Sequence, residues 1–259
     1  MKGTKAAVVT GGGRGIGAAI AVALATAGFD IAIVSKEPES AAADVVRNVQ
    51  NLGRKLLYCE HDIAEIEGHR SVLERVLSGL GEIDCLVNNA GVTSLERGDM
   101  LDLTTASFDR SVDVNLRGTF FMTQALARQM VQSTDSQSHT RYRSIITITS
   151  ANAEVIGLNR ADYCMTKAGL SMMSKLYAAR LAPSRIHVFE VRPGIIHTEM
   201  TRPATAKYDA FIAQDGVPLG RWGTPEDVGM AVAAIAQGYL PFATGEVINV
   251  GGGLHLHRV

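Results

Sequence analysis

Thr10–Gly17 reads "TGGGRGIG", five glycines in eight residues. Glycine loses more chain freedom on folding than any other residue, so a run this dense needs a reason in what lies against it. "KAAVVT" (5–10) precedes it, a short apolar run of strand character, and a helical pattern begins near Ile16. A glycine-rich turn between strand and helix lets main-chain N–H groups approach a phosphate, and the helix N-terminus adds about half a positive charge. Gly11, Gly15 and Gly17 give the spacing G-x-x-x-G-x-G, distinct from G-x-G-x-x-G, and no Gly-Lys-Ser/Thr follows, which excludes a Walker A loop. Alone, the stretch also reads as a plain tight turn.

Further runs repeat the strand pattern: "DIAIVS" (30–35), "KLLYC" (55–59), "DCLVNN" (84–89), "SIITITS" (144–150), "IHVFEVR" (186–192) and "EVINV" (246–250). Their near-continuous apolar character suits parallel strands buried on both faces. Helical patterns lie between them near 16–27, 40–52, 66–79, 105–131, 161–181 and 225–236. Strand and helix alternating from end to end predict an α/β fold, a Rossmann-type doubly wound parallel sheet of about seven strands with helices on both faces. No linker or repeat divides the chain, so 1–259 reads as one dinucleotide-binding and catalytic domain. The polar stretch 131–143 reads as a surface loop. The stretch 197–223 is longer than ordinary connections and follows a strand end, where α/β ligands bind, so it reads as a substrate lid.

Composition narrows the partners. The 259 residues are 46% hydrophobic and 20% charged with a net charge of −1, which gives no electrostatic case for nucleic acid or an anionic membrane. No apolar run reaches the roughly 20 residues that cross a bilayer. Cys59, Cys85 and Cys164 form no C-x-x-C pair, so a reducing cytoplasm fits and neither a disulfide framework nor a zinc site is expected. His255 and His257 lie two apart, so on a strand both would point to one face, but no third ligand is in view and no metal is expected.

The end of the second strand meets the adenosine ribose in this architecture: an acid there suits NAD, a cation NADP. The chain has Ser35 and Lys36 there, and Arg14 in the glycine loop could close on the same phosphate. These residues favour NADP(H) over NAD(H). Glu37 is the counterweight, and two solvated surface cations are the plainer reading of Arg14 and Lys36.

"YCMTK" places Tyr163 and Lys167 one turn apart on one helix face. A free phenol, with a pKa of about 10, exchanges protons poorly at neutral pH, and a nearby ammonium stabilises its phenolate. Ser150 and "NNAG" (88–91) lie at the C-terminal ends of strands, where catalytic groups collect. Asn115 interrupts the long fourth helical pattern, where asparagine is a mediocre helix former.

Taken in order, "TGGGRGIG", "HDI" (61–63), "NNAG", "VNLRG", "TSANA…YCMTK" and "RPGIIHT" resemble the short-chain dehydrogenase/reductase family over nearly the whole chain. The resemblance implies hydride transfer between a nicotinamide and a ketone or secondary alcohol, with Asn115, Ser150, Tyr163 and Lys167 as the catalytic set. Tyr163 would exchange the proton, Ser150 would hydrogen-bond the carbonyl oxygen, and Lys167 would lower the tyrosine and bind the nicotinamide ribose. Asn115 would hold a water that links Lys167 to solvent. The loop residues Gly11, Gly13, Arg14, Gly15, Ile16 and Gly17 would cradle the phosphates. Asp62 and Ile63 would flank the adenine, and Asn89, Ala90 and Gly91 the adenosine side. Pro193, Gly194, Ile196 and Thr198 would contact the nicotinamide half.

Within the family the look is toward 3-oxoacyl-(acyl-carrier-protein) reductases, which implies reduction of a 3-oxoacyl or similar small ketone by a homotetramer or homodimer. An NAD-dependent polyol or sugar dehydrogenase is the alternative enzyme. A non-catalytic dinucleotide sensor is the alternative from another class, and the presence of both Tyr163 and Lys167 speaks against it. The usual "DGG" near the C-terminus reads "GGG" here (Gly251–Gly253). No obvious Arg/Lys cluster would dock an acidic carrier protein; Arg128, Arg141 and Arg143 are candidates, and a solvated loop explains them equally. His197 reads equally as a substrate contact or a loop polar group. Met200, Phe211, Leu219 and Trp222 read as an apolar lining for the substrate.

Overall fold

The computed structural model describes residues 4–136 and 141–256. Among them are strands β1 (Lys5–Thr10), β2 (Phe29–Ser35), β3 (Leu56–Glu60), β4 (Cys85–Asn88), β5 (Arg143–Ile148), β6 (Ile186–Pro193) and β7 (Glu246–Val250). They form one sheet in the order β3-β2-β1-β4-β5-β6-β7. Every pairing is parallel. The helices are α1 (Gly15–Thr26), α2 (Ala43–Asn51), α3 (His69–Leu80), α4 (Thr105–Ser111), α5 (Thr119–Ser136), α6 (Ala161–Leu181), α7 (Thr205–Ala213) and α8 (Pro225–Gln237).

The strands read as unbroken apolar runs because both faces are covered. Successive residues point to opposite sides. Ala7, Val9, Ile31, Ile33, Ile146 and Phe189 pack with Ile20 and Leu24 of α1, Val49 of α2 and Val232 of α8. Their neighbours Ala6, Val8, Ala32, Val34, Ile145 and Val188 pack on the other face with Val76 of α3, Met122 and Met130 of α5 and Leu181 of α6. Each of the larger side chains (Val, Leu, Ile, Phe, Met) removed from water contributes roughly 1.5–3 kcal/mol. Because every strand runs the same way, all their C-terminal ends lie on one edge of the sheet.

Three expectations change in detail. The fourth helical pattern is not one helix: residues Val112–Gly118 wind as a π-helix between α4 and α5. The stretch 131–143 is not all loop, because α5 continues through Ser136; residues 137–140 lie outside the described part. Arg141 and Arg143 are not free to dock an acidic partner. Arg141 ion-pairs with Asp84 and Glu82, and Arg143 with Glu82, at the N-terminal edge of the sheet away from the cleft. Arg128 is exposed.

Candidate functional site

Strand order reverses between β1 and β4, and the C-terminal ends of the strands open there into a cavity of about 920 Å³. Thr10, the last residue of β1, holds the crevice together. Its Oγ1 accepts hydrogen bonds from the main-chain N–H groups of Asn89 and Ala90, each at 3.0 Å. Asn89 Nδ2 returns bonds to the carbonyls of Thr10 and Gly11, also at 3.0 Å. The glycine loop is thereby tied to the loop after β4. A Cβ at Gly17 would strike the Gly11 carbonyl oxygen and the Asn89 amide, so only glycine closes this turn.

Gly11, Gly13, Arg14, Gly15, Ile16 and Gly17 all line the cavity. The residue capping α1 is Arg14, whose side chain accepts nothing from the first turn. The leading N–H groups of α1 therefore have no side-chain acceptor, as a phosphate site requires. At one end of the cavity lie Ser35 and Lys36 after β2, Asp62 and Ile63 after β3, and Asn89, Ala90 and Gly91 after β4. Glu37 lines this end too, held by Tyr58, whose hydroxyl donates to the Glu37 carbonyl at 2.8 Å. The Arg14 guanidinium lies 3.3 Å from the Glu199 carboxylate, both side chains largely exposed, and does not close on Ser35 and Lys36.

Ser150, Tyr163 and Lys167 meet in the middle of the cavity. Ser150 lies two residues past β5 and caps the 3-10 turn Ala151–Ala153, accepting from Asn152 N at 3.1 Å. It also shares a hydrogen bond with Tyr163. Lys167 is buried, donates from Nζ to the Ile148 carbonyl at 3.0 Å, and stands 5.5 Å from the Tyr163 ring centroid. Burial pushes the Tyr163 phenol above its ordinary range, against the Ser150 hydrogen bond and the Arg160 charge, which pull it down. Burial also drops the Lys167 ammonium to about 8, against the raising effect of Glu190.

Asn115 is fully buried in the π-helical turn and does not line the cavity. Both hydrogens of its side-chain amide are used, to the Val92 carbonyl at 2.9 Å and Thr166 Oγ1 at 3.0 Å. Its Oδ1 accepts from Val92 N at 2.7 Å. The side chain thus clamps the loop after β4 to α6, and one lone pair of Oδ1 is left for a water. A Cβ at Gly91 would lie 3.2 Å from that Oδ1 and 3.7 Å from Lys167 Nζ, so Asn115 and Lys167 adjoin across Gly91.

Asp162, the neighbour of Tyr163, is absent from the sequence-derived set. It is completely buried, and its carboxylate accepts from Ser94 Oγ, from Ser107 and Ser111 Oγ at 2.8 Å each, and from Tyr163 N at 2.8 Å. Burial pushes its carboxyl up, but the three serines and the main-chain donor outweigh that and hold it below the usual carboxylate range. The first turn of α6 is therefore fastened to α4 and to the loop after β4. Only the i, i+4 spacing of Ser107 and Ser111 hints at this in the sequence, and nothing there pairs them with Asp162.

Pro193, Gly194, Ile196 and Thr198 line the cavity beyond Lys167. A Cβ at Gly194 would come within 2.6 Å of Gly251 Cα, so the first glycine of "GGG" sits against the end of β6. The stretch 197–223 carries its own helix, α7, which the sequence reading lacks. Met200 and Phe211 line the cavity as expected; His197, Leu219 and Trp222 do not. His197 and Tyr208 instead pack edge-on against the Trp222 ring, at 5.4 and 5.5 Å. Cys164 lies outside the lining, its Sγ directed to the Gly157 carbonyl. Among the described residues no three His, Cys, Asp or Glu side chains could hold a metal ion; His257 lies outside them.

A family model described as enoyl-(acyl carrier protein) reductase matches residues 11–255. The chain is 34% identical to 3-oxoacyl-[acyl-carrier-protein] reductase of Aquifex aeolicus, covering 96% of this chain and 97% of that one. It is 32% identical to 2-dehydro-3-deoxy-D-gluconate 5-dehydrogenase of Dickeya dadantii, covering 96% and 94%. The crystal structure of 3-oxoacyl-[acyl-carrier protein] reductase from Brucella melitensis in complex with NAD superposes with a TM-score of 0.95, at 45% identity over 100% of both chains.

Two predictions test this geometry. Asp162→Ala strands three buried hydroxyls and costs on the order of 3 kcal/mol in urea unfolding, part of which Asp162→Asn recovers; an Ala variant as stable as wild type would remove the clamp. The second concerns Lys167, whose folded pKa of about 8 lies below its ordinary 10.5. Between these values the unfolded chain binds more protons, so stability rises with pH. Wild type should gain on the order of 3 kcal/mol over Lys167→Met across this window, measured without cofactor. A pH-independent difference would show that the lysine is not desolvated.

Proposed function

The chain belongs to the short-chain dehydrogenase/reductase family, and we propose that it is an NADP(H)-dependent reductase of a 3-oxoacyl compound or a similar small ketone. One observation carries the reading: Ser150, Tyr163 and Lys167 converge in the same cavity as an uncapped, glycine-lined helix N-terminus. The nicotinamide supplies hydride chemistry when bound. Tyr163, kept protonated by its burial, gives its proton to the carbonyl oxygen, and Ser150 donates a hydrogen bond to that oxygen. Lys167 binds the nicotinamide ribose, and its charge steadies the phenolate that remains. Asn115 holds Val92 and Thr166 in register beside Lys167 and offers its remaining Oδ1 lone pair to a water that leads to solvent.

The loop Gly11–Gly17 takes the phosphates, Asp62 and Ile63 the adenine, and Asn89–Gly91 the adenosine side. Pro193, Gly194, Ile196 and Thr198 take the nicotinamide half. Ser35 and Lys36 at the end of β2 support NADP(H); Arg14, paired with Glu199, would join them on a 2'-phosphate only by leaving that pair. Exposed Met165, Met172 and Leu176 share one face of α6 and support assembly into a homodimer or homotetramer. Three free cysteines fit a cytoplasmic setting, and no helix among the described residues is long and apolar enough to cross a membrane.

A second reading is an NAD-linked dehydrogenase of polyols or sugars. Glu37 at the ribose end and the pairing of Arg14 with Glu199 favour it. So do the sugar-acid name of the Dickeya relative and the NAD held by the Brucella structure.

Following NADPH oxidation over a panel of ketones, Tyr163→Phe should lose roughly 10²–10⁴-fold in kcat. Undiminished turnover would remove Tyr163 from the chemistry. Titration with both nucleotides should show tighter NADPH binding than NADH, and Lys36→Ala should lower that ratio about tenfold. Tighter NADH binding in wild type would select the second reading.

A further inference from the structure

Besides Arg14, Lys36 and Lys167, the cavity carries a surplus of positive charge that proton and hydride transfer do not require. Arg97, Arg110, Arg160, Arg202 and Lys207 line it. The acids that line the cavity are Glu37 and Asp62, at the ends of β2 and β3, and Glu199, which Arg14 engages. Among the described residues, none of the five cations has an acidic partner. Surface cations are usually solvated, and Arg97, Arg202 and Lys207 are exposed. Arg160 is different. Its Nε is buried and has no hydrogen-bond partner, and its Nη2 reaches only the Tyr208 hydroxyl of α7, at 3.3 Å. It packs against Gly157, immediately precedes α6, and lies one helical turn before Tyr163. Leaving a buried charged donor unpaired is costly, and a guanidinium fork matches a carboxylate with two parallel hydrogen bonds.

We propose that the substrate is an oxo acid, a small ketone carrying its own carboxylate, and that Arg160 binds this carboxylate while Tyr163 serves the carbonyl. The proposal rests on the reductase reading and narrows its substrate class. Arg110, held by its bond to the Thr93 carbonyl at 3.1 Å, and Lys207 of α7 add to the positive field. In the reaction the carbonyl carbon gains a hydride from the reduced nicotinamide, which is oxidised. The carbonyl oxygen gains the Tyr163 proton, and the product is a hydroxy acid. The carboxylate keeps all its bonds. A neutral ketone would leave the Arg160 guanidinium without an anionic partner and draw nothing from the field.

The test compares 3-oxobutanoate, 4-oxopentanoate and 5-oxohexanoate with their methyl esters and with 3-oxobutanoyl-CoA, using NADPH. Wild type should prefer at least one acid over its ester by roughly 10–100-fold in kcat/KM. Arg160→Met should collapse that ratio through KM, and Arg160→Lys should restore part of it. Isothermal titration of the same acids and esters into the NADP⁺-loaded protein reads binding without turnover. Arg160-dependent binding of an acid with no reduction of any ketone would sustain the inference and defeat the reductase reading. Esters used as well as acids, equal losses on both in Arg160→Met, preference for the thioester, or acid binding independent of Arg160 would each overturn the inference.

Discussion

The site depends on one close approach. Gly17, in the first turn of α1, lies against the Gly11 carbonyl and the Asn89 amide with no room for a side chain. This contact closes the turn after β1, directs the free N–H groups of α1 toward the cavity, and leaves the Asn89 side chain to bind the carbonyls of Thr10 and Gly11. Two neighbouring strands that lead to opposite halves of the sheet are joined at the point where their connections part. A crevice must form there, because the loops after β1 and β4 run away from each other.

The proposed catalytic groups come from separate elements, so their spacing depends on what ties those elements together. Lys167 is anchored to the last residue of β5, Asn115 to α6 through Thr166, and the first turn of α6 to α4 through Asp162. A second buried network lies behind them. Glu190 of β6 accepts from Thr149 at 2.6 Å and Ser171 at 2.7 Å, and pairs with Arg192, which also reaches Glu154. Buried ion pairs add little net stability when weighed against apolar replacements. Their effect here is geometric: β5, α6 and β6 are held in one register just beneath Ser150, Tyr163 and Pro193.

The sheet was legible in the sequence because burial on both faces leaves a plain signal, near-continuous apolar runs at the spacing of strand and helix. The boundaries of β1 and α6 agree to the residue, and every expected nucleotide-site residue lines the cavity. Other features escaped for physical reasons. The π-helical turn at Asn115 keeps a helical periodicity and changes only its winding. Helix α7 has no buried residue and so imposes no apolar stripe on its sequence. Asp162 is defined by hydroxyls 51 to 68 residues away in the chain, a relation that no local pattern carries. His197 follows a strand end, as cavity residues do, but its ring packs on Trp222 instead.

Burial sets the resting proton of the site as well as its shape. It moves Tyr163 and Lys167 both toward their neutral forms, so the resting proton sits on the phenol. A protonated phenol is the form that reducing a ketone requires; oxidising an alcohol would first have to generate the phenolate in the same desolvated place. The Arg160 charge is among the groups that oppose this, since it lowers the phenol. An anion bound to Arg160 would offset that charge and hold the proton more firmly on Tyr163 until hydride arrives at the carbonyl carbon. In the proposed reduction, negative charge developing on the carbonyl oxygen would draw the Tyr163 proton toward it. The same desolvation that makes the phenol a reluctant acid at rest strengthens its response to a charge formed within hydrogen-bond reach.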